Sequence, residues 1–138
     1  MTDEFQFWFK QGEQLADQGS YREALEQFDR VLAVQPNHGS AWVFRAVVLI
    51  HLDRFQEALE SCDRALTANP TNAEAWLFRA VALQRLNRYP EAYTSYGKAL
   101  GDRHSTEAQS QQPSSSLLPW NWMNTWIASL WQSIRGWA

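Results

Sequence analysis

The residues of this chain with reactive or metal-ligating side chains are few: three histidines, one cysteine and a scatter of carboxylates. His38, His51 and His104 lie at least thirteen residues apart, so no two share a helix turn or short loop as a zinc-binding pair must. Cys62 falls in a sequence column with Phe28 and Tyr96, the setting of a small buried hydrophobe; a nucleophilic thiolate needs an electropositive, partly exposed one. Glu26 and Glu60 each stand four residues before an arginine, Arg30 and Arg64, the spacing of solvated pairs on a helix surface. There is no glycine-rich phosphate loop, nucleophile elbow or zinc motif. No catalytic residue, cofactor, metal or small-molecule substrate is therefore expected, and the chain reads as a non-enzymatic binding protein.

The elements that carry these residues are set by composition. At 138 residues the chain holds one modest domain and an appendage. A formal charge of −3 supplies no basic patch for nucleic acid. The charge is uneven: residues 1–100 carry ten basic and thirteen acidic side chains, whereas 101–138 holds only Asp102, Arg103, Glu107 and Arg135. One cysteine cannot close an internal disulfide, so a reducing, cytoplasmic compartment is expected. Met1-Thr2-Asp3-Glu4 lacks the basic-then-apolar order of a signal peptide, and no run of about 18 apolar residues spans a membrane. Five of the eight tryptophans fall in the last nineteen residues.

Laid over itself at an offset of 34, the chain aligns Trp8 with Trp42 and Trp76, Gly12 with Ala46 and Ala80, and Leu15 with Leu49 and Leu83. Tyr21, Phe55 and Tyr89 share a column, as do Ala24, Ala58 and Ala92, and Leu32, Leu66 and Leu100. Pro36 aligns with Pro70, while the third copy has His104 there. Apolar positions within each copy recur at helical spacing, as in Ala24, Leu25, Phe28 and Leu32. Gly19-Ser20, Asp53-Arg54 and Asn87-Arg88 interrupt the pattern midway, as turns between antiparallel helices do. Asn37, Thr71 and Asn72, after the breaks between copies, are candidate helix N-caps. The order Trp, small, aromatic, Ala, aromatic, Pro at this period resembles the tetratricopeptide repeat family over about Phe5 to Leu100.

The expectation is an all-α fold: a short right-handed superhelical solenoid of three helix-turn-helix repeats plus a C-terminal amphipathic helix. The repeats run over about 5–38, 39–72 and 73–100, forming a domain over 1–100. Residues 101–116 read as a polar linker and 117–138 as a Trp-rich tail. A further pattern links the copies. The residue three after each Trp is Gln11, Arg45 and Arg79; the residue one after the third aromatic column is Asp29, Asp63 and Gly97. Arginine appears only where a preceding copy offers Asp, which predicts semi-buried pairs Asp29–Arg45 and Asp63–Arg79, with bidentate geometry. Gly97 has no successor to meet, so the array is expected to stop at three.

The resemblance implies that the first helices line a concave groove. The family's groove positions fall on Gln6, Phe9, Lys10 and Glu13; on Val43, Phe44, Val47, Ile50 and His51; and on Glu74, Leu77, Phe78, Val81 and Arg85. One subclass grips a peptide's terminal carboxylate with Lys and Asn there. The corresponding residues here are Phe9, Glu13, Phe44, Glu74 and Phe78, so that clamp is missing. An open groove of Phe9, Val43, Phe44, Val47, Leu77, Phe78 and Val81 is a large apolar patch, expected to accept an apolar or amphipathic helix of a protein partner. The alternative is that these side chains fill the gaps between repeats.

In the tail, Met123, Trp126, Ile127, Leu130, Trp131 and Ile134 fall on one helical stripe, with Trp120, Trp122 and Trp137 flanking it. Three roles are open: a helix capping the array, an interfacial anchor giving peripheral membrane contact, or a segment docking into a groove, its own or a partner's. Five Trp burying about 200 Å² each return about 25 kcal/mol gross; ordering about 18 residues costs about 1.5 kcal/mol each, a similar total. The functional expectation is an adaptor or assembly factor. The alternatives are a structural subunit with groove and tail permanently buried, and an adaptor inhibited by its own tail.

Overall fold

In the computed structural model the described residues are 4–101. They form six helices: α1 (Glu4–Asp17), α2 (Tyr21–Val34), α3 (Gly39–His51), α4 (Phe55–Ala68), α5 (Ala73–Arg85) and α6 (Tyr89–Ala99). No strand occurs among them, and the fold is an all-α helical repeat. The expected C-terminal helix lies outside the described residues.

Each helix pair closes by the same device. The backbone N–H groups of Ser20, Arg54 and Arg88 reach back to the carbonyls of Leu15, Leu49 and Leu83 at 2.8, 2.9 and 2.8 Å. That closure puts Gly19, Asp53 and Asn87 in the left-handed region, at φ of 81°, 59° and 61°, where glycine is free and Asp and Asn are tolerated better than other side chains. The midway breaks in the sequence are thus helix C-terminal turns.

Between repeats, the starts of α3 and α5 are capped one residue later than part of the expectation. His38 Nδ1 accepts from Ala41 N at 3.0 Å, and Asn72 Oδ1 accepts from Ala75 N at 3.2 Å. Asn72 is therefore a cap as expected. Asn37 is not one, and Thr71 instead donates to Asn69 Oδ1 at 2.9 Å, closing the loop before the helix. His38 replaces Asn37 because it occupies the same column as Asn72, the position whose side chain faces the free N–H groups.

The core runs along the seams. Phe28, Leu49, Val31, Phe78 and Leu83 are fully buried. Gly12 lies against the Phe28 ring, and a Cβ added there would come within 2.8 Å of a ring carbon. The small-residue column is thus the floor on which the second helix's aromatic rests. Helix α3 touches both α1 and α5, whereas no contact joins α2 to α4 or α4 to α6. The first helices converge and the second helices splay, so the first-helix layer is the inner face of the described body.

Candidate functional site

Two kinds of surface position the candidate residues: the seams between repeats and the inner face of the first helices. At the seams, Arg45 Nε donates to Asp29 Oδ1 at 2.7 Å and Arg79 Nε donates to Asp63 Oδ1 at 2.8 Å. Both expected pairs form, but neither is bidentate. The second arm of each fork goes elsewhere: Arg45 Nη1 donates to Ser61 Oγ at 2.6 Å and Arg79 Nη1 to Ser95 Oγ at 2.7 Å. Each arginine therefore ties the preceding second helix to its own partner helix. Ser61 and Ser95 are fully buried, and each lies sixteen residues after its arginine. That spacing was readable, but a serine in an apolar helix carries no signal by itself.

The tryptophan column completes the seam. Trp42 Nε1 donates to the Pro36 carbonyl at 2.7 Å and Trp76 Nε1 to the Pro70 carbonyl at 2.9 Å. Arg45 and Arg64 lie over the Trp42 ring at 5.8 and 5.9 Å from its centroid. Arg79 and Lys98 lie over the Trp76 ring at 5.7 and 4.6 Å, within reach of a cation–π attraction. A cleft of about 250 Å³ beside the first of these seams is lined by charged groups, among them Asp29, Arg45, Glu60 and Arg64. The expected surface pairs Glu26–Arg30 and Glu60–Arg64 do not form. The pairs that do are Arg54–Glu57 at 2.6 Å and Arg88–Glu91 at 2.7 Å, where the arginine precedes the second helix and the glutamate sits in its first turn.

Of the residues assigned to the groove, Val43, Phe44, Val47, Ile50, Phe78 and Val81 are buried, each at most 5% exposed. Phe9, Leu77 and Arg85 are half-buried; Lys10 and His51 are exposed. The large open patch expected from sequence is not there as an open patch. Phe44 packs edge-on to Phe9 at 5.2 Å and stacks with Phe28 at 5.7 Å, filling the seam of the first two repeats. Helix α3 is apolar on nearly every side, and such a helix is covered on every side.

His51 and Arg85 share a column and a task. The His51 imidazole stacks flat on Tyr21 at 4.5 Å, and Arg85 lies over the Phe55 ring at 5.5 Å. Each reaches from a first helix to the aromatic of the preceding repeat. Desolvation lowers the pKa of His51 despite the opposing charge of Asp53, and lowers that of His38. Glu13 and Glu74, on the same layer, are shifted up by burial, Glu13 also by Asp17. Burial pushes the Cys62 thiol far above its ordinary range, consistent with an inert core position. Among the described residues no group of three His, Cys, Asp or Glu could hold a metal, and no helix is long and apolar enough to cross a membrane. The tail residues Trp120, Trp122, Met123, Trp126, Ile127, Leu130, Trp131, Ile134 and Trp137 lie outside the described residues.

Comparison with known proteins matches this arrangement. Two sequence profiles described as tetratricopeptide repeat match, over residues 9–73 and 49–110. No curated protein matches the sequence significantly. Among solved structures, the first such domain of Spaghetti (RPAP3), bound to the HSP90 peptide SRMEEVD, is 22% identical with a TM-score of 0.71, covering 80% of this chain and 91% of its own. The Arabidopsis OM64 domain is 20% identical with a TM-score of 0.71, at 78% and 93% coverage. The second-B domain of yeast Sti1, in a complex with Hsp70, is 18% identical with a TM-score of 0.69, at 78% and 91% coverage.

Proposed function

The chain belongs to the tetratricopeptide repeat family, and from that premise we propose that it is a non-enzymatic protein-binding module, an adaptor or assembly factor. Its inner face takes an apolar or amphipathic helix. Structural relatives of this fold are seen with an HSP90 peptide and in a complex with Hsp70, which supports a protein-binding role here. The chemistry of the layer argues for a different ligand. SRMEEVD carries three acidic side chains and a free carboxylate, and its recognition calls for cations. At the corresponding places this chain has Phe9, Glu13, Phe44, Glu74 and Phe78. Burial raises the pKa of both glutamates, because a charge there is costly; an anionic peptide would add to that cost.

The observation that carries the reading is the apolar character of α3, in which eight of thirteen residues are buried. On the layer that it backs, Phe9 and Leu77 stay half-buried and Lys10 and His51 exposed, an apolar surface with a polar rim that complements an amphipathic helix. The test is a fluorescence-anisotropy titration of the full chain with two labelled peptides, a twenty-residue amphipathic helix with a Leu/Trp face and SRMEEVD. The amphipathic peptide is expected to bind, with at least a ten-fold loss for Leu77→Asp in a chain whose circular dichroism is unchanged. Preferential binding of SRMEEVD would overturn the proposal.

A further inference from the structure

The two ends of the described array carry, in the open, the columns that its two seams bury. Inside the chain, Val31, Leu32 and Ala41 form one buried cluster with Trp42 packed against it, where the second helix of one repeat meets the first helix of the next. In the second seam Ala65 and Ala75 hold the Val31 and Ala41 columns and are fully buried. At the ends the same columns stay exposed. Phe7, in the column of Ala41 and Ala75, is 63% exposed, and so is Leu100, in the column of Leu32. They are two of the three large hydrophobic side chains exposed among the described residues. Leu15 is half-buried where Leu49 and Leu83 are fully buried, and Ala99 is half-buried where Val31 and Ala65 are fully buried.

Solenoid ends that face only water are polar; these carry an aromatic ring at one end and a leucine at the other. Their remaining columns are complementary. Within the chain each seam pairs an arginine with an aspartate, Arg45 with Asp29 and Arg79 with Asp63. At the ends the arginine column holds Gln11 and the aspartate column Gly97. Both are neutral, so one end can be laid on the other without burying an unpaired charge. Ala99 stands where the first seam has Val31, which leaves room for a ring at the Ala41 position. We propose that the C-terminal end of the array, at Gly97, Ala99 and Leu100, receives the N-terminal end of a second copy, at Phe7 and Gln11. Copies then stack head to tail through a seam of the same form as the two inside each chain.

Such a contact is heterologous: each copy contributes a different surface and keeps its other end free, so the stack stays open to further copies. One seam is a small interface, which makes assembly concentration-dependent. The ends lie apart from the inner face, so stacking and helix binding stand or fall independently.

Sedimentation velocity of the full chain tests the proposal. The weight-average mass is expected to rise more than two-fold with concentration, without levelling off at a dimer. Phe7→Asp blocks one end and Leu100→Asp the other. Both positions are exposed, so circular dichroism should be unchanged; Phe7→Lys and Leu100→Lys replace them if it is not. Each variant alone is expected to stay a monomer. Mixed in equal amounts they should form a dimer and nothing larger, because F7D keeps an intact C-terminal end and L100D an intact N-terminal end. A natural chain that is monomeric at every concentration overturns the proposal. Mass that levels off at a dimer overturns it in favour of a closed two-fold contact. A variant that associates as the natural chain does overturns it too, since the contact then lies elsewhere. A mixture that stays monomeric does the same, because the two intact ends have then failed to join.

Discussion

The seam between the first two repeats and the seam between the last two are joined by the same polar contacts and filled by different apolar ones. Arg45 and Arg79 split their forks alike between an Asp behind and a Ser beside them, and Trp42 and Trp76 close the same loop. The filling diverges. The first seam holds a ring cluster of Phe9, Phe28 and Phe44, with Phe9 also 5.1 Å from His38. The second has Cys62 where the first has Phe28, and Phe78 and Cys62 are both fully buried. Polar groups at a seam must meet at fixed distances and angles, so both copies keep them. An apolar volume needs only to be filled, and different side chains do it.

The sharpest way to break the comparison is to empty the two fillings. Phe44→Ala is expected to cost about 3–5 kcal/mol in urea unfolding. Phe78→Ala should cost less by about the worth of ring–ring pairing, about 0.5–1.5 kcal/mol per pair. Equal losses would show that the ring cluster adds nothing beyond its volume. Next in size is Gly12→Ala, which drives a methyl group into the Phe28 ring at 2.8 Å and should cost about 1–3 kcal/mol. Adding Phe28→Cys recreates the Ala46–Cys62 pairing of the second repeat. In a double-mutant cycle the strain of Gly12→Ala should then vanish, and an unchanged penalty would mean that Phe28 is not what Gly12 makes room for.

The polar half of the comparison predicts equality. Arg45→Met and Arg79→Met should each cost about 1–2 kcal/mol, since each leaves a buried serine oxygen without its guanidinium donor, although Ser61 Oγ still donates to the Glu57 carbonyl at 3.0 Å. A difference above about 1 kcal/mol would mean that the two seams are not mechanically alike. In the first repeat the same columns are filled differently. Gln11 and Gln27 occupy the arginine and serine columns, and Gln27 Oε1 is buried with no hydrogen-bond donor among the described residues.

The smallest expected effect is in pH. His38 caps α3 through an unprotonated Nδ1, and burial lowers its pKa. The unfolded chain then takes the proton more readily. The cap's contribution is complete above the ordinary histidine pKa of about 6.5 and declines as pH falls through that value toward the lowered one. His51 is lowered in the same direction. Glu13 and Glu74, whose pKa values are raised, act oppositely and favour the fold as pH falls through their raised values. His38→Asn installs the cap of Asn72, which does not titrate. Thermal unfolding from about pH 7.5 to about pH 5.5 should show a smaller loss of stability for this variant than for the natural chain. An identical profile would remove His38 from the account.

The repeat period, the two-helix form of each repeat and the two arginine–aspartate pairs were legible in the sequence because each is a column, and copies of a column separate constraint from accident. Ser61 and Ser95 were not, since the first copy has Gln27 in that column and the serine's role depends on which arm of an arginine points at it. The burial of Val43, Val47, Ile50 and Val81 was one of two readings that the sequence left open. A groove position says which way a side chain faces, not how closely its neighbours pack around it.

The period, the turn residues and the Arg–Asp register followed from the chain alone, because they rest on local geometry and on spacing between copies. Three outcomes belonged to the tertiary structure: the split of each guanidinium between two partners, the exchange of Asn37 for His38 as the cap, and the burial of most of the apolar groove positions. Each depends on where groups distant in sequence come to rest. Distances of a few tenths of an ångström decide hydrogen bonds, and spacing along a chain does not carry that information.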